Sequence, residues 1–229
     1  MGAALTDERG TGDDRVSPTR LASRVRSTAG TGRRHLLGIT GPPGAGKSTL
    51  AAELAAAIGP AAQVAPMDGF HLRTRELERR GALDRKGRPD TFDVTGFLTR
   101  LKRLRDTPPG EPVPWPVYDR ALHDPVPDAL VFDRHTIAIV EGNYLLLDRP
   151  GWREVREYLD AVWYLDAPES LLEQRLLRRH TAGGKTARRA RAMVRDNDLP
   201  NARLIAAGRD RADLLLRTGA DGSLRRVVR

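Results

Sequence analysis

The sequence contains no cysteine, which excludes a disulfide framework, a thiolate metal site and a cysteine nucleophile. That absence accords with a reducing cytosol. Aromatic residues make up only 5% of the 229 residues, sparse for a surface that stacks bases. Lysine is almost missing as well. It occurs only at positions 47, 86, 102 and 185, so 35 of the 39 basic side chains are arginine. No apolar run approaches the roughly 20 residues of a transmembrane helix. Residues 1–8 lack the basic stretch followed by an apolar one that marks a secretory signal. The expectation is a cytoplasmic protein with no membrane partner.

Positive charge, by contrast, is abundant. A formal net charge of +9 gives a general affinity for polyanions. The arginines are spread along the chain and interleaved with Asp and Glu, a pattern that reads as codon bias as much as a built surface. No specific nucleic-acid partner is expected. The length suits one large α/β domain over residues 17–229 and is short for two. Residues 1–16, rich in Gly, Thr and Asp without apolar periodicity, read as a disordered tail.

Residues 41–49 read Gly41-Pro42-Pro43-Gly44-Ala45-Gly46-Lys47-Ser48-Thr49, a complete G-x-x-x-x-G-K-[ST] phosphate loop. An apolar run at 35–40 precedes it, and a helix-forming run at 50–58, closed by Gly59-Pro60, follows it. A chance glycine-rich turn is the competing reading, and the strand–loop–helix context argues against it. Such a loop aims backbone N–H groups and a helix N-terminus at a triphosphate. Lys47 then reaches the β- and γ-phosphates, and the Ser48 hydroxyl serves Mg²⁺. All nine residues are expected to bind ATP.

Short apolar runs at 35–40, 63–67, 136–140, 161–165 and 212–216 read as strands. None alternates cleanly, as expected of parallel strands covered on both faces. Helices are predicted at 19–26, 47–58, 94–105, 168–180 and 199–207. The proline-rich stretch 108–116 can be neither helix nor central strand, and reads as a connecting loop bordering a site. Trp115, Trp152 and Trp163 read as core. The result is a phosphate-loop type α/β/α fold in three layers, with a mostly parallel five-stranded sheet and a small lid at about 175–200. Ligands of such sheets bind beyond the carboxyl ends of the strands, so residues 41–48, Asp68 and Glu141 share one rim.

Phosphoryl transfer needs positioning and charge neutralisation more than covalent help. Transfer to a hydroxyl also benefits from a carboxylate that takes its proton. Asp68, after the second strand and 21 residues beyond Lys47, supplies one. An Asx turn is the other reading of that aspartate. Glu141 ends the third strand, placed to serve Mg²⁺ directly or through water. Arg175 and Arg179 stand at i, i+4 before Gly183-Gly184, the layout of a lid that brings positive charge to the transferring phosphoryl. A solvated helix end favoured by the dipole is the alternative.

The phosphate loop, Asp68-Gly69-Phe70, residues 85–93, residues 118–123 and Glu141-Gly142-Asn143-Tyr144 together resemble the phosphoribulokinase/uridine kinase/pantothenate kinase family, in the family's order over about residues 33–218. The resemblance implies that Asp68 is the catalytic base and that Arg175 and Arg179 contact phosphate. It is mixed where the acceptor is chosen. Asp68-Gly69-Phe70 and Lys86-Gly87 resemble bacterial pantothenate kinase. Residues 89–93 and the Tyr118 and His123 pair resemble uridine kinase, although Gly69-Phe70-His71 departs from the Ser-Phe-Tyr type found there. The implied substrate side is Asp68, Phe70, His71, Asp93, Tyr118, His123 and Asn143. Packing under the proline loop is the other reading of Tyr118 and His123, and helix capping that of Asp93. Residues 196–201 are typical of nucleoside- or sugar-kinase-like relatives, and capping of the following helix is the one role assigned to them.

The expectation is an ATP- and Mg²⁺-dependent kinase acting on a hydroxyl of a nucleoside, pantothenate-like compound or sugar, with homodimerisation left open. A nucleotide switch or an ATPase working on a macromolecule is the first alternative. It would carry an Asn-Lys-x-Asp guanine reader or a strand ending in an acidic pair, and neither run occurs. A basic nucleic-acid-binding protein is the second alternative, read from charge alone.

Overall fold

The computed structural model describes residues 14–30 and 32–228. The disorder expected for residues 1–13 lies outside the described residues. The tail ends earlier than expected, because Arg15–Val16 already form a strand, β1. Helix α1 (Pro18–Thr28) follows. The Ser17 hydroxyl caps it by accepting from the Arg20 N–H at 3.2 Å, and Pro18 at the first helical position gives up no hydrogen bond. Next come β2 (His35–Thr40), α2 (Lys47–Ile58), β3 (Ala62–Pro66) and a single 3₁₀ turn, Met67–Phe70. After short α3 (Thr74–Arg79), α4 (Val94–Asp106) leads to β4 (Val113–Asp119) and β5 (Asp124–Phe132). The remainder runs β6 (Ile137–Glu141), β7 (Ala161–Asp166), α5 (Glu169–Ala182), α6 (Ala187–Met193), a π turn at Val194–Asp198, α7 (Leu199–Ala206), β8 (Leu214–Thr218) and β9 (Leu224–Arg226).

The five predicted strands pair in parallel in the order β8-β7-β2-β6-β3. Two further strands, β9 antiparallel to β8 and β1 antiparallel to β9 at the edge, extend the sheet to seven and correct the expected five. Both are two or three residues long and arginine-bearing, so they carry no apolar signal. Inside the sheet successive residues feed opposite faces. Leu36, Ala138, Val140, Val162 and Tyr164 pack against α4 and the ribbon below. Leu37, Ile39, Ile139, Trp163 and Leu165 pack against α1, α2 and α5. Every residue of β2 is buried, which is why its sequence shows no alternation.

The proline stretch is where the expected loop is overturned. Residues 113–119 form β4, which pairs with β5 as a separate two-stranded antiparallel ribbon. Both strands of such a ribbon are edges, where the missing proline N–H costs no ladder bond, and the register shifts between Trp115 and Val117. Trp115 is wholly buried, as expected of a core residue, and its indole N–H donates to the Pro66 carbonyl at 3.0 Å. That bond fixes the ribbon against the end of β3. No helix among the described residues is long and apolar enough to cross a membrane.

Candidate active site

A cavity of about 730 Å³ lies at the carboxyl ends of the parallel strands. Residues Pro43 to Thr49 of the phosphate loop line it. The cap residue of α2, Gly46, contributes no side-chain hydrogen bond, so the first-turn N–H groups of that helix are left for a ligand. Gly41 and Pro42, expected to touch nucleotide, do not line the cavity. Gly41 sits at φ +147°, and a Cβ there would fall 2.1 Å from the Leu165 carbonyl oxygen, so the loop leaves β2 hard against β7. The Pro42 carbonyl accepts from Lys47 Nζ at 3.1 Å and from the Ala45 N–H at 3.2 Å. These two residues shape the loop from behind.

Asp68 and Glu141 line the same cavity, at the ends of neighbouring strands: Pro66 pairs with Glu141, and Asp68 follows in the 3₁₀ turn. The turn can lie there only because residue 69 is glycine, since a Cβ would meet the Pro116 carbonyl oxygen at 2.1 Å. Burial depresses the pKa of the Lys47 ammonium, and the Glu141 and Asp68 carboxylates oppose that shift. Burial likewise raises the Glu141 carboxyl, against the pull of Lys47. The Ser48 hydroxyl, which lines the same cavity, favours the ionised Glu141 carboxylate. This pairing of hard oxygen donors fits Mg²⁺, which takes one or two protein ligands beside phosphate and water. No cluster of three or more His, Cys, Asp or Glu side chains able to hold a metal by itself occurs among the described residues.

Arg175 and Arg179 also line the cavity, in different states. Arg175 donates to the Gly44 and Ala45 carbonyls, at 3.2 Å each, and so braces the phosphate loop whose phosphates it was expected to contact. Arg179 stands 3.8 Å from the Asp198 carboxylate. Asp198 is bound in turn to the buried His180 at 2.7 Å. Residues 196–201 therefore do more than cap. Asp198 makes no cap bond to α7, and Asn197 accepts from the Arg88 guanidinium at 2.9 Å, tying the π turn to the 85–93 segment. The sequence carries no signal for this beyond polar residues in a helix, an arrangement that the π turn accommodates.

The expected substrate residues divide. Asp68, His71 and Asn143 line the first cavity. Tyr118 and His123 line a second, of about 700 Å³, which shares Lys86 and Met193 with the first. Tyr118 packs on His71 with ring centroids 4.9 Å apart, and His71 Nδ1 lies 2.8 Å from the Asp68 carbonyl oxygen. Phe70 and Asp93 reach neither cavity. Phe70 is core, with ring centroids 5.0 Å from Phe97 and 5.1 Å from Trp115. Asp93 accepts from the Gly96 N–H at 2.9 Å and caps α4, the bland reading of that residue. Arg120 and Lys185, unremarked in the sequence, line the first and second cavities respectively.

The profile of the Phosphoribulokinase / Uridine kinase family matches residues 36–221. A profile of the methylmalonyl Co-A mutase-associated GTPase MeaB matches residues 3–65 alone, the stretch that contains the phosphate loop. Escherichia coli YggC, itself uncharacterised, is 38% identical over 195 residues, covering 83% of this chain and 80% of its own. A Xanthobacter autotrophicus pantothenate kinase is 33% identical over 249 residues, covering 90% and 76%. A solved structure from Silicibacter sp. TM1040, provisionally assigned as a fructose transport system kinase, superposes with a TM-score of 0.80 at 42% identity, covering 87% of this chain and 98% of its own. With a phosphate loop, two rim carboxylates and an arginine-bearing helix in one cleft, the chain belongs to the phosphoribulokinase/uridine kinase family of P-loop kinases.

Proposed function

We propose that the protein transfers the γ-phosphoryl group of ATP to a hydroxyl of a small molecule. The observation that carries this reading is the convergence of Lys47, Ser48, Asp68 and Glu141 on one cavity that shares Lys86 and Met193 with a second beside Tyr118. Asp68 takes the proton of the acceptor hydroxyl as its oxygen bonds to the γ-phosphorus. The bond from that phosphorus to the bridging oxygen breaks, and ADP leaves with the electron pair. Lys47, the N-terminus of α2 and Arg179 offset the charge on the phosphoryl oxygens. Mg²⁺ held by Ser48 and Glu141 would neutralise further phosphate charge when bound. Arg175 holds the loop in shape through the Gly44 and Ala45 carbonyls, to which it donates.

A screen of ADP release against nucleosides, pantothenate, sugars and hydroxy acids tests the reading. One acceptor should raise the rate about tenfold or more over the acceptor-free reaction, since transfer to a positioned hydroxyl outruns transfer to water. Equal ADP release with and without every acceptor would contradict it.

A further inference from the structure

Only four lysines occur in a chain that uses arginine for nearly every other cation, and three of them line the two cavities. Lys47 is in the phosphate loop, and Lys86 and Lys185 line the second cavity. The fourth, Lys102, is spent on Asp106 one turn along the exposed face of α4, at 2.7 Å. Composition alone would have put arginines at the second cavity. An ammonium on a flexible stem is a point charge that can follow a small anion, whereas a guanidinium fork demands a fixed planar partner.

The balance of charge in that cavity is one-sided. Lys86, Lys185 and Arg189 line it against one carboxylate, Asp84. Lys86 is answered by Asp124, at 3.7 Å, and donates to the Thr74 hydroxyl at 3.0 Å and to the His123 carbonyl at 2.5 Å, so the unpaired charge lies with Lys185 and Arg189. Lys185 and Arg189 have no ion-pair partner among the described residues. Some arginines elsewhere are matched, as Arg33 is by Asp160 at 2.6 Å and Arg217 by Asp166 at 3.0 Å. Unmatched cations around a concave surface focus positive potential where a ligand would lie.

The cavity also adjoins the chemistry. Lys86 Nζ stands 5.2 Å over the Tyr118 ring, and that ring packs on His71, the neighbour of Asp68 in the first cavity. A molecule anchored by Lys86 and Lys185 would therefore reach past one aromatic pair to present a hydroxyl at Asp68.

We infer that the phosphoryl acceptor is an acid, a small hydroxylated molecule whose carboxylate or phosphate is held in the second cavity by Lys86, Lys185 and Arg189. This rests on the kinase reading above. A neutral nucleoside or sugar would leave the cations unanswered and gain nothing from them.

The experiment compares acceptors in matched pairs that differ in charge: D-glycerate with glycerol, pantothenate with pantothenol, and ribose 5-phosphate with ribose. Acceptor-dependent ADP release should favour the charged member of a productive pair. The first two pairs against the third distinguish carboxylate from phosphate. In the doubly substituted Lys185→Gln, Arg189→Gln protein, KM for that acceptor should rise about 10- to 100-fold, the loss of charge-assisted hydrogen bonds, while KM for ATP moves far less. Equal or better use of the neutral member overturns the inference and leaves the kinase reading standing. If no pair is productive, sulfate binding decides, measured by calorimetry on protein whose phosphate loop is filled with a non-hydrolysable ATP analogue and Mg²⁺. Binding in the wild type that is lost in the double variant supports the site. No binding, or equal binding in both proteins, overturns it.

Discussion

Two aspartates show how far single residues can be read. Asp68 and Asp93 both stand where a strand or loop meets a helical turn, and both admit a cap or a ligand role. The fold separates them: Asp68 lines the cleft, and Asp93 closes its oxygen on the Gly96 N–H. Nothing local distinguishes the two, and their turns are neighbours in the fold, since the Asp93 N–H donates to the Phe70 carbonyl at 2.8 Å. Asp160 is a third aspartate, set by tertiary contacts alone. Burial works to raise its pKa, but hydrogen bonds from Arg33 and from the Leu36 N–H at 2.8 Å overcome this and hold it below the usual range. The stability it contributes is present in full above about pH 4 and is lost as pH falls through the lower folded value. The unfolding midpoint should therefore drop on acidification below about pH 4, and Asp160→Asn should flatten that acid limb. An unchanged slope in the variant would remove Asp160 from the account.

At the scale of elements, legibility followed burial. The five parallel strands were readable because each is an apolar run fed into two cores. The ribbon was not, because Pro114, Pro116, Pro125 and Pro127 deny strand to any reading that assumes a central position. The helices from α5 to α7 were half readable. Residues 199–207 were expected as helix, and the π turn that extends the run back toward α6 was not. That turn seats Asp198 against His180 and Arg179. Replacing Asp198 with alanine leaves a buried imidazole without its partner and should cost about 1–3 kcal/mol, read as a lower urea midpoint. If Asp198 also holds Arg179 toward the cleft, kcat should fall while ATP affinity changes little. Retention of both the midpoint and kcat would show that the contact is idle.

On the whole-molecule scale, sheet order decides where chemistry collects. With β2 between β6 and β7, and β3 beyond β6, the phosphate loop, Glu141 and Asp68 must share one rim. Alternating strands and helices imply that arrangement, since parallel strands with covered faces bind ligands at their carboxyl ends. The acceptor side is another matter. The second cavity, where the acceptor is proposed to sit, is assembled from α3, the ribbon and the segment before and along α6, elements whose mutual placement depends on long-range contacts such as Trp115 with Pro66 and Arg88 with Asn197. Sequence therefore reached Tyr118 and His123 only through resemblance, and passed over Lys185 and Arg189.

The central claim is that Asp68 serves the transfer and not the binding of nucleotide. Its most direct test sets Asp68→Asn beside the wild type, with ATP affinity from calorimetry and turnover from acceptor-dependent ADP release. The account predicts affinity within about twofold and turnover lower by roughly 10²- to 10⁴-fold, the contribution of a general base. Undiminished turnover, or a loss of ATP affinity that accounts for all of the decline, would contradict it.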